Sequence, residues 1–243
     1  MAFWKKFLHR EKKREKRCSA VIVAAGSASR MEGKDKIFLP VGNVPVLIQS
    51  LQPFESSPFI QEIIVVARED RIVDVGRLCR DYGFTKFARV VPGGATRLLS
   101  VQAGIREVSP DVDLIAIHDG ARPFLTAEVL EETIQAAGEH GAAAPAVPVK
   151  DTIKIAKDGV VQRTPDRASL FAVQTPQIFD ADLIRGAVAK AVRDEAKLTD
   201  DCAAVERMGF PVTLTKGSED NIKITTPSDL ILAEAILMRR ENW

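Results

Sequence analysis

Ser19-Ala20-Val21-Ile22-Val23-Ala24 leads directly into Ala25-Gly26-Ser27-Ala28-Ser29-Arg30-Met31. The first half has the length and unbroken apolar character of a strand buried on both faces, as strands of a parallel sheet are. The second half is a turn of small residues that ends on a cation. Gln61-Glu-Ile-Ile-Val-Val-Ala67 and Asp113-Leu-Ile-Ala-Ile-His118 are two further runs of the first kind. Helical patterns fall at 45–54, 71–82, 96–108, 126–137, 181–193 and 199–208. A last helix opens at Thr226-Pro-Ser-Asp229, with a capping Thr, a Pro at the first helical position and an acid three residues on. Strands alternating with helices imply an α/β fold, a mostly parallel sheet covered by helices on both faces.

One stretch breaks the alternation. Val147-Pro-Val-Lys-Asp-Thr-Ile-Lys-Ile-Ala-Lys-Asp-Gly-Val-Val-Gln-Arg-Thr164 holds two extended runs around Asp158-Gly159, a strong hairpin signal. A hairpin inserted there is either an arm that reaches a partner subunit or a local flap.

The 243 residues, 46% hydrophobic and 28% charged, suffice for one sizeable core. A net charge of +1 gives no global field toward nucleic acid or membrane. Three widely spaced cysteines without a CxxC pair, and three histidines, point to a reduced, cytoplasmic protein without a disulfide framework or zinc site. Residues 1–17 read as a flexible basic extension, and residues 18–243 as one catalytic-sized domain with the hairpin arm near 147–172. Phe3, Trp4, Phe7 and Leu8 form a stripe too short for a signal sequence. A solvated extension is favoured over an amphipathic lipid anchor, because one short apolar stripe holds weakly. No apolar run reaches the ~18 residues a membrane span needs.

Four constellations carry chemistry. The small-residue loop after the first strand lets backbone N–H groups approach phosphate oxygens, and Arg30 and Lys36 add the cations a triphosphate needs. It is neither GxGxxG nor a Walker A sequence, and a tight turn with solvated charges reads equally well. Gly93-Gly94-Ala95-Thr96-Arg97-Leu-Leu-Ser100 offers glycines for positive φ or close approach, a capping Thr96, and Arg97 and Ser100 on the first helical turns. His118-Asp119-Gly-Ala-Arg122-Pro ends the third strand, where an acid can hold Mg²⁺ or ribose hydroxyls and Arg122 can clamp a phosphate. His118, inside the strand, reads as a hydrogen-bonded structural residue. In Asp220-Asn-Ile-Lys223-Ile-Thr-Thr226, Lys223 precedes a capped helix and can point into the same cleft.

Taken in order, these motifs, with Thr175-Pro-Gln-Ile-Phe179, resemble the 2-C-methyl-D-erythritol 4-phosphate cytidylyltransferase family of non-mevalonate isoprenoid biosynthesis. The likeness runs from about Ser19 to the C-terminus. It implies a Rossmann-like sheet of the nucleotidyltransferase type. It also implies transfer of CMP from CTP to a polyol phosphate, with Mg²⁺ as the cofactor. Relatives that activate ribitol 5-phosphate share most of these motifs, and a nucleotide-binding sensor without turnover is a further alternative.

By the resemblance, Arg30 and Lys36 are catalytic cations on the CTP phosphates, joined by Lys223 and Arg167. Ala24, Ala25, Gly94 and Ser100 match positions that read cytosine, and Gly26 and Arg97 count with them as nucleotide-binding. Asp119 matches the acid near ribose and metal. Arg122, Thr152, Arg167, Thr175 and Lys223 match positions for the sugar phosphate or the reacting α-phosphate. The resemblance also implies a homodimer whose arm carries Thr152 and Arg167 across the interface. Two positions depart from the pattern. Ala28 stands where a second glycine is usual, and Asp35, in place of a proline, adds a negative charge expected near the triphosphate.

Overall fold

The computed structural model describes residues 16–26 and 35–241. Arg30, Ala28 and most of the basic extension lie outside the described residues. The chain begins with β1 (Cys18–Val23), then passes a small ribbon of β2 (Pro40–Val41) and β3 (Val44–Pro45) into α1 (Val46–Ser56). It continues through β4 (Ile60–Ala67), a 3-10 turn at Glu69–Arg71, α2 (Ile72–Asp81), β5 (Phe87–Pro92), α3 (Arg97–Arg106), β6 (Leu114–Asp119) and α4 (Ala127–His140). Next come β7 (Ala142–Pro148), the hairpin β8 (Ile155–Lys157) and β9 (Val160–Arg163), then β10 (Phe171–Val173) and β11 (Gln177–Asp180). The C-terminal part adds α5 (Ala181–Arg193), α6 (Cys202–Glu206), β12 (Thr213–Lys216) and α7 (Pro227–Glu241).

β1 lies between β4 and β6, and β5 extends the sheet beyond β4, all in parallel. On the other side β11 and β10 run antiparallel to β7, and β12 pairs with β7 in parallel. The outcome is a mostly parallel eight-stranded sheet.

The strands alternate their allegiance residue by residue. Ala20 and Ile22 pack with Leu47, Leu51, Phe54 and Leu130 on the α1/α4 face. Val21, Ile64 and Val66 pack with Val101, Ile105 and Ile184 on the α3/α5 face. Both faces are therefore dry, which is why these strands tolerate no polar alternation. Side chains such as Phe54, Ile22, Ile64 and Ile117 are fully buried, and burying a side chain of this size contributes ~1.5–3 kcal/mol.

The helix ends follow from local chemistry. Thr96 caps α3 by accepting from Leu99 N, and Thr126 caps α4 by accepting from Val129 N. Asp229 accepts from Thr225 N and Thr226 N at 2.8 Å and so closes the start of α7. The patterned helix at 199–208 is shorter than expected. Only Cys202–Glu206 is helical, because Asp200 and Asp201 are spent on tertiary contacts. Asp158 and Gly159 both adopt positive φ, 50° and 78°, which fits the right-handed twist of the β8–β9 hairpin. Cys18, Cys79 and Cys202 are free and buried. Burial pushes the Cys79 thiol up to about 12 and raises the other two as well. Among the described residues no helix is long and apolar enough to cross a membrane.

Candidate active site

In a parallel α/β sheet the carboxyl ends of the strands open onto one rim, and ligands bind there. Here that rim carries a cavity of about 380 Å³. Ala24, Ala25 and Gly26, which follow β1, form one wall. Gly94, Arg97 and Ser100, from the β5–α3 connection and α3, form another. Asp119 from the end of β6, Lys36 and Lys223 complete it.

The glycine pair before α3 is needed for space rather than for φ. Neither Gly93 nor Gly94 lies in the left-handed region among the described backbone, contrary to one of the two uses expected from sequence. A Cβ on Gly93 would stand 2.4 Å from the Ala25 Cβ, and one on Gly94 would stand 2.4 Å from the Leu99 Cβ. The two loops thus touch backbone to side chain, and Gly94 N donates to Ser100 Oγ at 3.1 Å.

Asp119 is the electrostatic centre. Lys223 Nζ lies 2.9 Å from its Oδ2, Arg122 Nε 3.4 Å from the same oxygen, and Arg97 Nε 3.7 Å from Oδ1. Burial alone would raise this carboxyl, but the charges of Lys223, Arg97 and Arg122 outweigh it and hold it well below the usual carboxylate range. Arg97 in turn makes a two-pronged pair with Asp201, at 2.8 and 2.7 Å. Asp201 is 2% exposed, and its backbone N–H donates to Gln177 Oε1 at 2.9 Å. Arg122 does not line the cavity. It donates to Asn221 O at 2.6 Å and lies behind Asp119.

Thr175 is likewise beneath the cavity rather than in it. Asp119 N donates to Thr175 Oγ1 at 3.1 Å, and that hydroxyl lies 3.0 Å from His118 Nδ1. The Arg122 carbonyl can only accept, so the neutral ring carries its proton on Nε2, directed at Arg122 O 3.4 Å away, and the Thr175 hydroxyl donates to Nδ1. His118 is therefore a neutral structural imidazole, and burial pushes it down to about 3. The unfolded chain takes up a proton near pH 6.5 that the native state refuses until about pH 3, so this group removes stability as pH falls. Going from pH 7.5 to 5.5 is expected to cost about 1.4 kcal/mol from His118 alone. Urea midpoints at the two pH values check this, with His118→Asn expected to flatten the dependence.

Thr152 and Arg167 stand apart from the cavity, both exposed on the excursion between β7 and β10. Arg167 Nη1 donates to Lys150 O at 3.0 Å. Asp35 also departs from expectation. Its carboxylate is turned toward Arg68 and Arg71, 3.8 Å from each, and not into the cavity. Sequence reasoning assigned no role to the supports Asp201, Gln177 and Asn221. Gln177 and Asn221 lie inside the Thr175–Phe179 and Asp220–Lys223 motifs, whereas Asp201 belongs to none of them.

A profile of the family described as IspD: 2-C-methyl-D-erythritol 4-phosphate cytidylyltransferase matches residues 18–239. The chain belongs to this family. The cytidylyltransferase of that name from Caldanaerobacter subterraneus subsp. tengcongensis is 45% identical over 228 residues, covering 91% of this chain and 99% of the relative. Its counterpart from Symbiobacterium thermophilum is 45% identical over 221 residues, covering 90% and 92%. The crystal structure of the 4-diphosphocytidyl-2C-methyl-D-erythritol synthase from Anaerococcus prevotii superposes with a TM-score of 0.84 at 37% identity, over 93% of this chain and 97% of that one. The 2-C-methyl-D-erythritol 4-phosphate cytidylyltransferase structure from Thermus thermophilus gives 0.72 at 32% identity, over 90% and 98%. As an IspD-family chain, it carries the small-residue wall, two lysines and one carboxylate in a single cavity at the sheet's carboxyl rim.

Proposed function

We propose that the chain transfers the CMP group of CTP to 2-C-methyl-D-erythritol 4-phosphate, giving 4-diphosphocytidyl-2-C-methyl-D-erythritol and pyrophosphate. One observation carries the reading: a single cavity gathers Lys36, Lys223, Arg97 and Asp119 against a wall of alanine and glycine. In the reaction an acceptor phosphate oxygen attacks the α-phosphorus in line, and the bond to the pyrophosphate oxygen breaks. The nucleophile is already an anion, so positioning and charge neutralisation do the work. Lys36 and Lys223 neutralise charge on the reacting phosphates, with Arg30 assigned the same task from its place in the sequence pattern. Ala24, Ala25, Gly26 and Gly94 leave a narrow slot for a pyrimidine ring, and Ser100 braces the Gly94 side of it.

Asp119 is the ionised carboxylate of the cavity, which suits a divalent cation held by one carboxylate and nucleotide phosphates, Mg²⁺ in our reading. Bound there, Mg²⁺ would supply further neutralisation of the triphosphate. Pyrophosphate release from CTP with 2-C-methyl-D-erythritol 4-phosphate tests the proposal. UTP is expected to give a kcat/KM lower by ~100-fold or more, since a wrong base leaves buried polar groups unpaired. Comparable turnover with ribitol 5-phosphate would reassign the acceptor, and no release with any acceptor would favour a sensor.

We further propose a homodimer in which the arm of one subunit completes the partner's acceptor site. Thr152 and Arg167 are exposed and away from their own cavity. Ile153, Ile155, Val160, Val161, Phe171 and Val173 on or beside the arm are 40–63% exposed, an apolar edge that a symmetric partner covers. Mixing Arg167→Ala with Lys36→Ala under subunit exchange is expected to restore partial activity, because one site of each heterodimer then carries neither lesion. If no activity returns, Arg167 serves its own subunit.

A further inference from the structure

A carboxylate next to a catalytic cation works against it unless something else holds it, and Asp35 directly precedes Lys36. Its side chain is only 10% exposed, so water does not carry the charge alone. Oδ2 lies 3.8 Å from Arg68 Nη2 and 3.8 Å from Arg71 Nε. Arg68 precedes the 3-10 turn that follows β4, and Arg71 is its last residue. Each is itself fixed, Arg68 by Asp70 at 2.8 Å and Arg71 by Asp74 at 3.1 Å. The Arg71 guanidinium also lies over the Phe38 ring, 5.7 Å from its centroid.

Two residues that bracket Lys36, one before it and one two positions after, therefore rest on the same guanidinium. Between them Ile37 is 3% exposed and packs in the core. The turn itself is closed by Phe38 N donating to Asp35 O at 3.1 Å and Leu39 N donating to Lys36 O at 3.3 Å. A network of several charges holds geometry better than an isolated surface pair does.

We propose that Asp35, Arg68 and Arg71 form an ion-pair latch that positions Lys36 at the cavity. Asp35 is then a positioning residue, and its charge is directed away from the triphosphate. The catalytic consequence rests on Lys36 acting as proposed above, whereas the latch is a property of the fold and is measured separately.

Amide hydrogen exchange on the full chain reads the latch without substrate. In Asp35→Asn, and in the paired Arg68→Gln/Arg71→Gln variant, the Phe38 and Leu39 amides are expected to exchange roughly tenfold faster or more, with β1 and α4 unchanged. Asp35→Glu keeps the parent exchange. Turnover follows: kcat falls about fivefold or more in Asp35→Asn while KM for CTP stays within about twofold, since small misplacement of a transition-state group is costly. Adding the arginine pair to Asp35→Asn brings no further loss, because the three act as one unit. Unchanged exchange at Phe38 and Leu39 overturns the latch. An Asp35→Asn enzyme as fast as the parent or faster, the result if the carboxylate merely opposes the triphosphate, overturns its positioning role. Lys36→Ala separates the two readings. If it keeps the parent kcat, the catalytic assignment of Lys36 fails, and the exchange rates still decide the latch.

Discussion

Lys36→Ala is expected to lower kcat by ~100-fold or more, the loss seen when one preorganised transition-state donor is removed. The lysine lines the cavity beside Ile37, whose side chain anchors the turn. Removing the amine therefore leaves the backbone where it was. Lys223, held beside Asp119 at 2.9 Å, is a separate contributor and does not take the place of Lys36. A hundredfold loss corresponds to about 2.7 kcal/mol of transition-state stabilisation. KM for CTP should move less than kcat, since charge neutralised only as the leaving group departs is not felt in the ground state. Thermal stability should stay close to the parent's, as the side chain is half-buried at the cavity mouth. A variant that keeps kcat within about threefold of the parent would remove Lys36 from the mechanism.

Asp201→Ala should show the largest effect on stability. It strips a buried carboxylate from a two-pronged pair and leaves the Arg97 guanidinium with Asp119, 3.7 Å away, as its remaining anion among the ion pairs of the described residues. Breaking a buried pair from one side costs ~3–5 kcal/mol. The Arg97 side chain is 29% exposed, so water recovers part of that and the expected loss is about 3 kcal/mol. For a chain of this length such a loss lowers Tm by about 6–12 °C, readable by calorimetry. Replacing both partners with apolar residues should be milder than either single change, because no orphaned charge is left behind. A Tm within about 1 °C of the parent's in Asp201→Ala would show that the pair adds nothing net.

Strands buried on both faces were readable because nothing else explains runs like those of β1, β4 and β6. β7 was not. Ala142-Ala-Ala-Pro-Ala-Val-Pro148 has a helix former's composition broken by prolines. It is a strand because small side chains let α4 pack closely and because β11, β10 and β12 satisfy its backbone. The cavity's lysines and its carboxylate were legible because each follows a strand or precedes a capped helix, and such positions converge on one rim. The supports were not legible. Asp201 reaches Arg97 across 104 residues and nothing local marks it, and Asn221 reaches Thr175 across 46, so that their two motifs are visible but their pairing is not. Asp35 is instructive for the same reason. Its neighbour in sequence is a lysine, but the cations that hold it follow β4, more than thirty residues away.

The three buried thiols give the chain a set of built-in reporters. A thiol held this far from ionising barely reacts while it is enclosed. Modification by an alkylating reagent must therefore wait for the element around it to open. Cys18 sits in the central strand, Cys79 in α2 and Cys202 at the start of α6, so mass spectrometry of the native chain during slow labelling yields three separate opening rates. The α6 site abuts the Arg97–Asp201 pair, and the α2 site lies in the helix that directly follows the Arg68–Arg71 turn. The order in which the three sulfurs acquire label would therefore map which side of the cavity loosens first, without a single engineered probe.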